Sequence, residues 1–118
     1  METVKNKVQL TGKLSQEPQT GETAKGRKWA TFSIGITECF NMKNGEKRFE
    51  TQWYRLKAWG KIAEQVESDC PKGTRITVTG KLKNRTYDDK EGKKRYITEV
   101  EVFDLNILEK YEADAHLK

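Results

Sequence analysis

Residues 53–59 read Trp-Tyr-Arg-Leu-Lys-Ala-Trp. Successive side chains of an extended segment point to opposite faces, so Trp53, Arg55, Lys57 and Trp59 share one face and Tyr54, Leu56 and Ala58 the other. The two tryptophans then stand about 20 Å apart, at ~3.3 Å per residue, with two cations between them. Flat π-surfaces suit stacking against planar bases, and cations between them suit the phosphates that join those bases. Each stacked base contributes about 1–3 kcal/mol whatever its identity, because every base has a π-face. The opposing reading, in which Trp53 and Trp59 belong to the core, draws on the usual burial of tryptophan. It would also bury Arg55 and Lys57, and an unpaired buried charge is costly. We therefore read this face as exposed.

Basic and aromatic residues interleave a second time in Lys81-Leu82-Lys83-Asn84-Arg85-Thr86-Tyr87, and on the return in Lys93-Lys94-Arg95-Tyr96. Arg85 and Tyr87 are candidate binding residues beside the row just described. Asp88 and Asp89 read as ordinary solvated charges of a hairpin tip. Lys43, Lys47 and Arg48 lie in a polar segment that could follow a phosphate backbone or simply keep a loop soluble.

These residues need strands to hold them. Residues 4–14 alternate, with Val8 and Leu10 on one side and Lys7, Gln9 and Thr11 on the other. Residues 15–28, with Pro18, Gly21 and Gly26, read as a loop. A second strand is expected over 29–40, with Phe32, Ile34 and Ile36 inward. Asn44-Gly45 is a hairpin signal because both residues tolerate positive φ, and a third strand follows over 48–60. Ile62, Ala63 and Val66 recur at helical spacing and Pro71 with Gly73 ends the run, which predicts one short helix over 61–70. Strands over 74–85 and 95–108 flank a long hairpin tip. Five strands with one helix between the third and fourth is the order of an OB-fold barrel, all-β apart from that helix, whose strand face and loops bind oligonucleotides. One domain over residues 1–108 and a short polar tail over 109–118 are expected.

Composition narrows the class. Of 118 residues, 34% are hydrophobic and 35% charged, with 23 Lys and Arg against 18 Asp and Glu, a formal net charge of +5. That excess suits a polyanion without requiring one. Cys39 and Cys70 form no CxxC pair, so neither a disulfide framework nor a zinc site is expected. The one histidine is His116, and no phosphate-cradling glycine motif occurs. No catalytic residues, cofactor or metal are therefore expected. No apolar stretch approaches the roughly 20 residues that span a membrane, and the N-terminal segment lacks a signal-peptide core, so no membrane association and a cytoplasmic location are expected.

The chain resembles the bacterial-type single-stranded DNA-binding protein family. The resemblance runs through Asn6-Lys7-Val8, Leu10 and Gly12-Lys13-Leu14, then Thr51-Gln52-Trp53-Tyr54-Arg55 and Trp59-Gly60-Lys61-Ile62-Ala63-Glu64. It continues in Lys72-Gly73-Thr74, Val78-Thr79-Gly80-Lys81-Leu82 and Arg95-Tyr96-Ile97-Thr98-Glu99-Val100, covering residues 5–108. It implies four base-stacking positions, Phe40, Trp53, Trp59 and Tyr87. The family often has tryptophan at the first and last and phenylalanine at the third. Parity within the second strand puts Phe40 with the core residues, so a bulge or the strand end would have to turn it outward. Phosphate contacts are expected from Lys7, Lys13, Lys43, Lys47, Arg48, Arg55, Lys57, Lys61, Lys83, Arg85, Lys93 and Arg95. The resemblance further implies single-stranded DNA as partner in replication, recombination and repair near the nucleoid, and a homotetramer with Tyr54, where the family commonly has histidine, at a subunit interface. The sequence given ends at Ala115-His116-Leu117-Lys118 without the acidic, hydrophobic tip of cellular members. If complete, it is expected to coat DNA without recruiting repair enzymes through a tail. Two other readings stay open: a related primosome module, and a protein-interaction barrel in which the tryptophans form a hot spot. RNA binding is also left open, since stacking alone does not read the 2′-hydroxyl.

Overall fold

The computed structural model describes residues 6–109. Of the polar tail expected over 109–118, Glu109 instead ends the last strand, and the remainder from Lys110 onward, His116 within it, lies outside the described residues, as do the first two residues of the expected first strand.

Six strands and one helix follow in the order β1 (Val8–Leu14), β2 (Gln19–Glu22), β3 (Lys28–Asn41), β4 (Lys47–Trp59), α1 (Gly60–Asp69), β5 (Arg75–Asp88) and β6 (Lys94–Glu109). The sheet runs β1-β5-β6-β4-β3-β2, and β1 also pairs with β3, which closes the barrel. Closure is made by Lys13↔Gly35 and Leu14↔Ile34, while β4 and β6 meet in parallel at Leu56↔Val100 and Lys57↔Glu101. Five long strands and a helix between the third and fourth of them form the expected OB-fold barrel.

The departure is β2, inside the segment expected to be a loop. Gln19–Glu22 folds back on β3 through Gln19↔Thr31, Thr20↔Ala30, Gly21↔Trp29 and Glu22↔Lys28. A four-residue strand with little apolar content carries no alternation of its own; its partner strand creates it.

All three hairpins turn by one device. Thr23, Met42 and Asp89 each donate their N–H to the carbonyl four residues on and accept from the glycine three residues on. The glycines, Gly26, Gly45 and Gly92, have φ of 86°, 85° and 78°, the left-handed position that closes a three-residue hairpin loop. Asn44 therefore does not share positive φ with Gly45. Its side-chain oxygen accepts from the Glu46 N–H at 3.0 Å.

Inward residues of every long strand fill one core, formed by Leu14, Phe32, Ile34, Leu56, Ala58, Ile76, Val78, Val100, Val102 and Leu105 among others. The helix adds Ala63 and Val66 and ends as the Cys70 N–H bonds the Val66 carbonyl at 3.1 Å. Leu56 and Ala58 are wholly buried while Trp53, three and five residues away on the alternate parity, is 62% exposed. The alternation expected for residues 53–59 is the alternation observed.

Leu56→Ala is expected to cost about 2–5 kcal/mol of stability. Trp53→Ala on the outer face should cost much less, and urea denaturation of the two variants checks the contrast.

Candidate nucleic-acid interface

β4 and its neighbours bring the expected residues onto the outside of the barrel. The β3–β4 ladder is unbroken from Trp29↔Trp59 to Asn41↔Lys47, so outward residues sit opposite outward residues throughout. Trp53 faces Gly35, where a Cβ would overlap the six-membered part of its indole. The missing side chain lets the ring lie across β3, one face toward the strand and the other toward solvent.

Six positions further along, Trp59 is half-buried and faces Trp29. Trp29 was not among the expected site residues, and its ring lies over Gly21 of β2. The Arg27 guanidinium lies 4.0 Å from the Trp59 ring centroid, and the Lys57 ammonium 4.8 Å from Trp59 and 5.8 Å from Trp29. A cation over an aromatic face is attracted by the ring quadrupole. Trp59 thus belongs to a two-tryptophan, two-cation cluster and is less open than Trp53. The signal for Trp29 was its position one residue before inward Ala30; what could not be read was that the hairpin register sets it against Trp59.

Tyr87 is 43% exposed and shares its side of β5 with Lys83 and Arg85. That side joins the Trp53 face through Glu99 of β6. The Glu99 carboxylate is 6% exposed and accepts from Arg55 Nε at 3.3 Å and from Arg85 Nε at 3.1 Å. Trp53, Arg55, Arg85 and Tyr87 therefore lie on one continuous outer surface across β4, β6 and β5.

A family model described as the single-strand binding protein family matches residues 5–108. The chain belongs to this family. It is 36% identical over 104 residues to single-stranded DNA-binding protein 1 of Chlorobaculum tepidum, covering 87% of this chain and 64% of that protein. It is 37% identical over 106 residues to single-stranded DNA-binding protein 1 of Xylella fastidiosa, covering 89% and 78% respectively. Among solved structures, the fold matches a Plasmodium falciparum SSB in complex with ssDNA with a TM-score of 0.82 and 29% identity, covering 92% of this chain and 99% of that one. The chain spans under two thirds of the length of the Chlorobaculum relative.

Of the four expected stacking positions, Phe40 is the one whose parity differs. It is 42% exposed, yet no bulge turns it: the ladder continues through Phe40↔Arg48, so it keeps the inner parity of Phe32 and Ile34. It is exposed because the β3–β4 hairpin outruns the barrel, leaving both of its faces in solvent from Thr37 onward. Tyr54 is half-buried on that inner side, opposite Ile34 and packed on the core.

The cations divide into two groups. Arg55 and Arg85 share Glu99; Lys83 donates to Glu101 at 2.8 Å, Arg48 lies 3.5 Å from Glu50, and Arg95 donates to Asp89 at 2.8 Å. Lys7, Lys13, Lys43, Lys47, Lys61 and Lys93 are exposed and, among the described residues, have no carboxylate within 4.0 Å. The Lys83 ammonium holds the Glu101 carboxyl below its ordinary value. Among the described residues no group of acids, histidines and cysteines is placed to hold a metal ion, and no helix is long and apolar enough to cross a membrane.

Asp89 is more than the solvated tip charge expected. Its carboxylate accepts from the backbone N–H of Glu91 and Lys93, both at 2.9 Å, and from Arg95. The Arg95 hydrogen bond, then that of the Lys93 N–H, holds its carboxyl below the ordinary value of 3.8. A depressed carboxyl contributes to the fold above its unfolded value and stops contributing as pH falls through the folded value. Arg95→Ala should move the Asp89 titration midpoint up toward 3.8, which carboxyl carbon chemical shifts followed against pH would check.

Proposed function

We propose that this protein binds single-stranded DNA without sequence preference, with bases stacked on outward aromatics and phosphates held by the surrounding lysines and arginines. The observation that carries the reading is Trp53: 62% exposed on a rigid strand, lying over Gly35, beside Arg55 and Lys57. A large ring held open to solvent by a glycine contributes little to the core and is already oriented for a base, so little entropy is lost when one docks. Membership of the family and the likeness to an SSB solved with ssDNA support the same reading.

In this reading Phe40, Trp53, Trp59 and Tyr87 stack bases. The unpaired lysines Lys7, Lys13, Lys43, Lys47, Lys61 and Lys93 meet phosphates directly. Lys57 and the paired cations Arg48, Arg55, Lys83, Arg85 and Arg95 contribute through donors not already engaged, since the Arg55 and Arg85 bonds to Glu99 use only Nε. Trp59 takes a base only where Arg27 or Lys57 moves off its ring. Residues 6–109, from the start of the described chain to the end of β6, hold the binding surface. The protein is a binder rather than an enzyme, working in the cytoplasm at the nucleoid during replication, recombination and repair. It assembles as a homotetramer in which Tyr54 lies at a subunit interface.

Trp53→Ala should weaken binding to oligo(dT) and to a mixed-sequence oligomer alike, by about 1–3 kcal/mol. Fluorescence anisotropy with labelled oligomers checks it. A folded variant with undiminished affinity would remove Trp53 from the interface, and affinity indifferent to salt would favour a protein-binding hot spot instead.

A further inference from the structure

One row of residues runs straight across four strands of the closed barrel. Trp53 of β4 is the register partner of Gly35 in β3, Gly35 of Lys13 in β1, and Lys13 of Arg75 in β5. All four positions point outward, since their neighbours Ile34, Leu14 and Ile76 are buried. At ~4.8 Å between adjacent strands, the Lys13 and Arg75 backbones stand about 10 and 14 Å from that of Trp53. Gly35 puts no side chain in between. The row forms part of the lining of a groove of about 420 Å3 that contains no carboxylate.

Lys13 and Arg75 are like charges directly opposite each other in an antiparallel ladder, an arrangement that is destabilising on its own. Elsewhere on this surface Arg55, Lys83, Arg85 and Arg95 each have an acidic partner. Among the described residues neither Lys13 nor Arg75 has one, although Glu109 is the register partner of Arg75 on its β6 side. The threonine hydroxyls nearby are already engaged with one another, Thr37 with Thr51 and Thr11 with Thr77, both at 2.8 Å. The charge of the groove is thus positive and uncompensated, at one nucleotide's reach from an open indole.

We propose that Lys13 and Arg75 clamp a phosphate of the nucleotide whose base stacks on Trp53, which makes Arg75 a DNA-binding residue and carries the strand from β4 over β3 onto β1 and β5. A phosphodiester between the two cations removes their repulsion, and the bidentate fork of Arg75 suits its paired oxygens. The proposal rests on the single-stranded DNA reading above and names a subsite within it.

Binding of the full chain to oligo(dT), measured across a range of salt for the wild type, Arg75→Ala, Arg75→Gln, Trp53→Ala and the double variant Trp53→Ala with Arg75→Ala, tests it. Both Arg75 variants should bind several-fold more weakly and flatten the slope of log K against log salt by about 0.7, one phosphate's worth on a single strand. The double variant should lose less than the product of the two single losses, because a phosphate whose base has let go of Trp53 is no longer delivered to Arg75. Unchanged slopes in the Arg75 variants beside a weakened Trp53→Ala would overturn the clamp while leaving the DNA reading standing. Strictly multiplicative losses would likewise separate Arg75 from Trp53. A wild type that fails to bind oligo(dT) at all would overturn both.

Discussion

The unbroken pairing of β3 with β4 is the constraint on which the interface depends. Leu56 and Ala58 are wholly buried, as are Ala30 and Ile34 across the ladder. Because side chains alternate, burying that set forces Trp53, Arg55, Lys57 and Trp59 out on the other face. A slip of one residue would exchange the faces entirely, placing two tryptophans and two cations in the core and leucine in water. The hydrophobic effect that closes the barrel is thus what aims the aromatic row. The same ladder sets Gly35 under Trp53 and Trp29 opposite Trp59, so ring orientation as well as exposure follows from strand register.

Electrostatics divides the surface into a braced part and an open part. Glu99 is nearly buried, and a carboxylate there is tolerable only because two guanidiniums meet it. Its bonds tie β4 to β5 across β6 and fix the direction in which Arg55 and Arg85 point. Lys7, Lys13, Lys43, Lys47, Lys61 and Lys93 have no such carboxylate partner among the described residues. A surface built this way offers preorganised π-faces and guanidiniums at the centre, where fixed geometry limits the entropy lost on docking, and flexible point charges at the edge, where a polyanion is gathered by long-range attraction. In the proposed reading, Arg27 over Trp59 and the Lys13–Arg75 pair are where this division bears on the path of a bound strand.

Much of this was legible from periodicity alone. The outward parity of Trp53 and Trp59 followed from alternation, the helix over Ile62, Ala63 and Val66 from its spacing, and the barrel from the order of elements. What was not legible depended on pairing between strands distant in sequence. β2 has no pattern without β3. Trp29 acquires its role from a register partner thirty residues on, and Glu99 from arginines on two different strands. Arg75 looks like one more surface charge until barrel closure lines it up with Lys13, Gly35 and Trp53. Phe40 shows the limit of parity itself: alternation placed it correctly on the inner side, but did not reveal that the hairpin extends past the core it would have joined.

The central claim, that Trp53 is held open for a base, is tested most directly by tryptophan fluorescence during titration with poly(dT), at low and high salt, with duplex DNA as control. The account predicts strong quenching by the single strand, an affinity that falls as salt rises, and little response to the duplex. Absence of quenching, or an equal response to duplex, would mean that these tryptophans do not stack on bases and would contradict it.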